Sequence, residues 1–184
     1  MTRHVDGPAD LPAGFAAFYA GTVTHVLGIA RRTAAGDHDL AWDAMQEAYV
    51  RMLKRWPERR RRCLRDNRSY VTAIAVNQVK DSYRRRRGVE LRDEHEGAFE
   101  DDDFDAVLTE MGLLAAVRDF LDHQPVRRRA VGVLYFIEGL DTAEVSEALG
   151  MRESTVRTHV QRLRTLLKPY VDRIIEEERG GERS

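Results

Sequence analysis

The stretch GLDTAEVSEALGMRESTVRTHVQRLRTLL, residues 139–167, decides the fold reading. It predicts two helices around a tight turn. In the first, Ala143, Val145, Ala148 and Leu149 can pack inward, and Asp141 or Thr142 can cap the start. Gly150 supplies the turn, where a positive φ is cheap only for glycine. In the second, Val156, Val160, Leu163 and Leu167 recur at helical spacing and fix one face to a core. The opposite face carries Arg157, Thr158, Gln161, Arg162 and Arg164, with His159 on its shoulder. Such groups can bond base edges or phosphates in a major groove. A solvated surface helix looks similar, so the pattern points to a DNA reader without giving its class.

Upstream, helical spacing continues. FAAFYAGTVTHVLGIARRTA places Phe15, Phe18, Tyr19, Val23, Val26, Leu27 and Ala30 on one stripe. The next segment, DLAWDAMQEAYVRMLKRW, does the same with Ala41, Ala44, Met45, Ala48, Tyr49, Met52 and Leu53, and Asp37 or Asp39 can cap it. Pro57 should end or kink this helix. ERRRRCLRDN reads as a loop, and helix resumes at Asn67 or Ser69, with Val71, Ile74, Ala75 and Val79 inward and Gly88 as the stop. A further stripe of Leu108, Met111, Leu114, Ala115 and Leu121 begins near Ala106. Pro125 suits the first turn of the helix that follows, which Gly139 ends. Few segments alternate with period two. The expected fold is all-α: two small helical domains over residues 11–87 and 106–175, joined by an acidic flexible linker at 88–105, with disordered tails at 1–10 and 176–184.

The formal net charge of -1 hides two opposed blocks. Residues 51–87 hold 14 Lys and Arg against 3 acids, a net of +11. Residues 88–107 hold 9 acids against Arg92, a net of -8. A basic block of this kind is the footprint of a nucleic-acid binder, although a solvated face balanced by an acidic spacer gives the same sum. No apolar run approaches the roughly 20 residues of a membrane helix. The first residues lack a basic segment followed by an apolar one, so no secretory signal is expected and the location reads as cytoplasmic. With Cys63 the lone cysteine, an intramolecular disulfide and a cysteine-rich zinc site are excluded. The six histidines have no metal-ligand spacing, and DEHE at 93–96 reads as acidic loop. There is no phosphate loop, no nucleophile elbow and no recognisable pair of catalytic carboxylates. No enzyme, cofactor, metal or small-molecule substrate is expected.

Three segments in order carry a family resemblance. DLAWDAMQEAYVRMLKRW, YVTAIAVNQVKDSYRRRR and EGLDTAEVSEALGMRESTVRTHVQRLR together resemble regions 2 and 4 of the extracytoplasmic-function (ECF) group of bacterial sigma factors, from about Phe15 to Val171. The resemblance implies a chain that binds core RNA polymerase, directs it to promoters and helps melt the −10 element.

By that resemblance Asp43, Gln46, Glu47 and Val50 would dock on the coiled coil of the polymerase β′ clamp, and the β flap is a further expected partner. Carboxylates on an exposed helix face suit a basic partner. Trp56, Arg62, Arg65, Asn67, Tyr70, Asn77, Lys80, Asp81, Arg84 and Arg85 would meet the −10 element. Melting there needs phosphate neutralisation, a pocket for an extruded base and a stacking partner. Arg86 and Arg87 extend the cationic run. Trp56 and Tyr70 also suit a hydrophobic core. Arg152, Ser154, Thr155, Arg157, Thr158, His159, Gln161, Arg162 and Arg164 would read the −35 element. Tyr70 stands where the family usually has Trp, and His159 where it often has Arg or Lys. The acidic linker would thread toward the RNA exit path, and an anti-sigma factor is an expected partner. A polymerase-independent helix-turn-helix regulator and an RNA-binding or adaptor protein are the rival readings.

Overall fold

The computed structural model describes residues 11–87 and 114–181. The acidic linker, the stripe residues Leu108 and Met111, and the first ten residues lie outside that part. Seven α-helices are described: α1 (Phe15–Thr33), α2 (His38–Arg59), α3 (Leu64–Arg87), α4 (Leu114–Asp122), α5 (Val126–Gly132), α6 (Thr142–Leu149) and α7 (Glu153–Gly181). A π-helical turn, Val133–Ile137, continues α5. There is no strand among the described residues.

The N-terminal half is a three-helix bundle. Its core joins Phe15, Phe18, Val26 and Ala30 of α1 to Met45, Ala48, Met52 and Trp56 of α2 and to Val71, Ala75 and Val79 of α3. Small residues at Ala41, Ala44 and Ala48 let α2 lie close to its neighbours, as the stripe predicts. Asp37 caps α2 by accepting from Leu40 N at 2.9 Å. Pro57 neither ends nor breaks α2, which continues to Arg59. Only Glu58 and Arg59 remain beyond it, so few hydrogen bonds are at stake. The break between helices is therefore shorter than ERRRRCLRDN suggests, and α3 begins at Leu64, ahead of Asn67.

In the C-terminal half, Val117 and Leu121 of α4, Ala130 and Val131 of α5, Val145 and Leu149 of α6, and Val156, Val160, Leu163 and Leu167 of α7 form one apolar cluster. Gly132 marks the tightest crossing: a Cβ there would lie 2.9 Å from Leu163 Cδ1 and closer still to Leu121 Cδ2. Helix α7 runs to Gly181, past the expected domain end at 175.

The two halves are not separate. Ile29 of α1 and Val76 of α3 are buried in the C-terminal cluster instead of their own bundle. Between the halves, α1 packs on α4 and α5, and α3 on α5 and α6. Nothing in the pattern of apolar residues foretold this packing, because Ile29 and Val76 sit where either half could claim them.

Candidate nucleic-acid interface

The helix-turn-helix is built by local bonds. Asp141 accepts from Glu144 N at 2.8 Å while the Glu144 carboxylate accepts from Asp141 N at 2.9 Å, a reciprocal capping box. Gly150 takes φ 60° and turns the chain. Ser146 Oγ donates to Met151 O, and Thr142 Oγ1 to Glu153 Oε1, so α6 holds the start of α7.

On α7, Arg157 is 67% exposed and pairs with Glu153 one turn back at 2.6 Å. Arg152, Ser154 and Arg162 are exposed, and Thr155, Thr158 and Gln161 are half-buried. Thr158 Oγ1 donates to Ser154 O. Arg164 leans back to donate to Tyr135 Oη at 2.9 Å, which ties its guanidinium to the π-turn. His159 is corrected: it is 5% exposed, beside Val156, Val160 and Leu163 on the buried side. The helical turn carries it past the shoulder, and it belongs to the packing face.

The basic end of the first bundle forms a second surface. Arg84 and Arg85 are exposed, as are Arg62 and Arg65. Asp81 sits between Lys80 and Arg84, at 3.9 and 3.7 Å from their nitrogens. Arg86 bonds the Asp37 carboxylate at 2.7 Å and ties the end of α3 to the start of α2. This bond, after that from Leu40 N, holds the Asp37 carboxyl below its usual range. Asn77 is half-buried, and its Oδ1 is buried without a hydrogen-bond partner. An orphaned acceptor of this kind is unusual in a native structure.

Two further assignments are corrected. Trp56 is a core residue: its ring packs 5.3 Å from that of Phe15 and 5.2 Å from that of Phe18, and Nε1 donates to Ala13 O at 3.0 Å. It presents no face for a base. Asn67 is also buried and serves as a clamp. Its Nδ2 donates to Arg59 O and Arg62 O, while its Oδ1 accepts from Arg59 Nε. With all of these bonds made, its amide holds the turn between α2 and α3 instead of a base. Tyr70 stays half-buried, with the Arg59 guanidinium 3.8 Å over its ring. Burial lowers the Arg59 pKa, the Arg62 charge adding to the effect. Arg59 is hidden in its Arg run by sequence alone; its contacts with Tyr70 and Asn67 set it apart.

A third surface lies on α2. Asp43, Gln46, Glu47 and Val50 share an exposed face at helical spacing, and Glu47 accepts from Arg51 Nε at 2.7 Å. Trp42 belongs to it as well, 46% exposed like Val50. Sequence reasoning passed over Trp42, although a large ring one residue off the apolar stripe was the available signal.

Among the described residues no group of three or more His, Cys, Asp or Glu could hold a metal ion. No described helix is long and apolar enough to cross a membrane. Both halves match known sequence families. Residues 18–89 match Sigma-70 region 2, and residues 114–167 match Sigma-70, region 4. Over 150 residues the chain is 28% identical to the ECF RNA polymerase sigma factor SigE of Mycolicibacterium smegmatis, a match covering 79% of this chain and 57% of that relative. The chain thus aligns with little more than half of the relative's length.

Proposed function

Because the chain belongs to the sigma-70 family, of which it carries regions 2 and 4, we propose that it is an ECF-type sigma factor that brings core RNA polymerase to specific promoters and assists strand opening. The observation that carries this reading is the pairing, in one chain, of a helix-turn-helix with the exposed cations Arg152, Arg157 and Arg162 and a second bundle ending in Arg84 and Arg85. A simple repressor needs the first surface only.

In this reading α7 enters the major groove at −35, with Arg157, Arg162, Ser154 and Gln161 toward the bases and Arg152 toward phosphate. Arg84, Arg85, Arg62 and Arg65 neutralise the −10 backbone. Asn77 Oδ1 accepts from the exocyclic amine of an extruded base, which would satisfy its orphaned acceptor. Tyr70, stiffened by Arg59, offers the adjacent aromatic surface. On α2 the face of Trp42, Asp43, Gln46, Glu47 and Val50 meets the polymerase clamp: a ring and a valine for burial, carboxylates for charge complementarity. Region 4 would meet the β flap, and an anti-sigma factor would compete for the same surfaces. RNA synthesis remains the polymerase's chemistry.

Transcription in vitro with purified core polymerase tests the proposal. The expected result is a holoenzyme that starts defined transcripts. A folded preparation that forms no holoenzyme refutes the reading; a stable homodimer on a palindromic site would favour a repressor instead, and promoter-independent RNA binding an adaptor.

A further inference from the structure

Tyr70 packs against the N-terminal core and carries the Arg59 guanidinium over its ring. Cζ lies 3.8 Å from the ring centroid, close enough for direct contact, so that face of the ring is closed to any other flat group. Two hydrogen bonds fix the plane of the guanidinium: Nε donates to Asn67 Oδ1 and Nη2 to Asp66 O, both at 3.2 Å. The bond to Asp66 is exposed, so the charged head meets water, and not the stem alone. Asn67 is fixed in turn, its Nδ2 donating to Arg59 O and Arg62 O. The product is a flat cation set on an aromatic ring, covered on one face and pinned at its edge. Around it Arg60, Arg61, Arg62 and Arg65 are exposed.

We propose that the outer face of Arg59 is a plate on which an unpaired nucleobase stacks when the −10 element opens. This deepens the sigma-factor reading above and rests on it for the identity of the strand. A guanidinium is planar, delocalised and weakly hydrated, and unpaired bases stack on Arg planes as they do on aromatic rings. A surface Arg ordinarily loses rotamer freedom on binding, which opposes it; this one is ordered in advance by Tyr70, Asn67 and Asp66. The exposed arginines beside it can neutralise the phosphates on either side of the base. The aromatic surface of Tyr70 is thus reached through Arg59, in a stack of base, guanidinium and ring. Lysine cannot take this place, because its ammonium is a compact, strongly hydrated point charge. Tyr70 and Asn77 are seven residues apart on α3, about 10.5 Å along the axis at roughly 1.5 Å per residue. The stacked base and the base whose amine meets Asn77 are therefore different nucleotides. Stacking tolerates any base, so Arg59 selects for the unpaired state and Asn77 for the base edge.

The experiment uses holoenzyme formed from the full chain and core polymerase, on a promoter that the wild type opens. Abasic sites are placed one at a time along the non-template strand of the −10 element, and the half-life of the open complex is measured against a competitor. In the wild type, removal of the base that stacks on Arg59 should shorten the half-life roughly tenfold. Arg59→Lys keeps the charge and should shorten it by about the same factor on the intact strand. At that one position the abasic site should then add little, while losses elsewhere, including at the base assigned to Asn77, stay as in the wild type. The Asn67 bonds to the Arg59 and Arg62 carbonyls do not need the Arg59 side chain, so the turn should survive, and circular dichroism checks for retained helix. Arg59→Met, of similar length and uncharged, is the second variant, with the same coupling expected. Abasic losses undiminished at every position in the folded variants, or an Arg59→Lys complex as long-lived as the wild type, overturn the plate and leave the sigma-factor reading standing. A wild type that joins no core polymerase removes that reading instead. The plate is then tested with the full chain alone, as the ratio of its affinities for an oligodeoxyadenylate of roughly 12 nucleotides and for the same backbone carrying abasic sites. Arg59→Lys should lower that ratio several-fold; an unchanged ratio overturns the plate.

Discussion

In the proposed reading Arg157 is the residue assigned to read bases, exposed on α7 and paired one turn back with Glu153. Replacing it by Ala should cost about 1–3 kcal/mol of promoter discrimination if it makes a bidentate base contact. Scanning −35 substitutions with the variant holoenzyme checks this; an unchanged base preference removes Arg157 from the reading face. Asn77→Ala should reduce permanganate reactivity of −10 thymines while leaving −35 duplex affinity unaltered. Equal reactivity to wild type would end its assigned role. Tyr49 gives a prediction about stability. Burial pushes its hydroxyl up to about 12, against a weaker opposing effect of the bond to Thr22. An unfolded tyrosine titrates near 10, so ionisation favours the unfolded chain. Its contribution is intact below about pH 10 and is lost as the pH rises from there toward about 12, by at most about 3 kcal/mol before solvent screening reduces it. Urea unfolding of wild type and Tyr49→Phe across that range should show the wild type losing ground to the variant.

At the scale of the element, Gly132 and Asp141 bear the sharpest predictions. Gly132→Ala drives a methyl into Leu121 and Leu163, where three helices cross. Overpacking of this kind costs roughly 1–3 kcal/mol. A shift in thermal midpoint reports it, and an unchanged midpoint would show that the leucines repack freely. Asp141→Ala removes the side-chain half of the capping box on α6 and should cost about 1 kcal/mol. The capping motif, the glycine turn and the apolar spacing of α7 were all legible beforehand because each depends on residues within a few positions of one another. The start of α3 was misplaced because the Arg run between α2 and α3 has no apolar period from which to read helix.

Across the whole molecule, the net charge of -1 conceals a local +11 that electrostatics will reveal. Affinity for single-stranded DNA should fall linearly with the logarithm of salt concentration, with a slope of about 0.7 per phosphate neutralised. Changing Arg84 and Arg85 together to Gln should flatten the slope by that amount for each phosphate they no longer neutralise. A slope identical to wild type would mean that these side chains do not meet the backbone. Glu47, Asp43 and Trp42 lie on α2 outside this cationic surface and should not affect the slope, although they should alter affinity for core polymerase.

By itself the sequence determined the all-α class, the order of the two halves, the helix-turn-helix and the family, since these follow from periodicity, local capping and motifs read along the chain. Only the tertiary structure decided which side chains are free to act. Trp56, Asn67 and His159 look like DNA ligands by type, yet each is buried: one against aromatic rings, one in a clamp with Arg59, one on the packing face of α7. Tertiary structure also brought Lys80 to Leu149 and Arg129 to Thr33, pairs separated by 69 and 96 positions along the chain. The physical reason is the same in both cases. Exposure and long-range partnership are properties of packing, and a polar side chain carries no mark in the sequence of whether water, a backbone carbonyl or DNA will satisfy it.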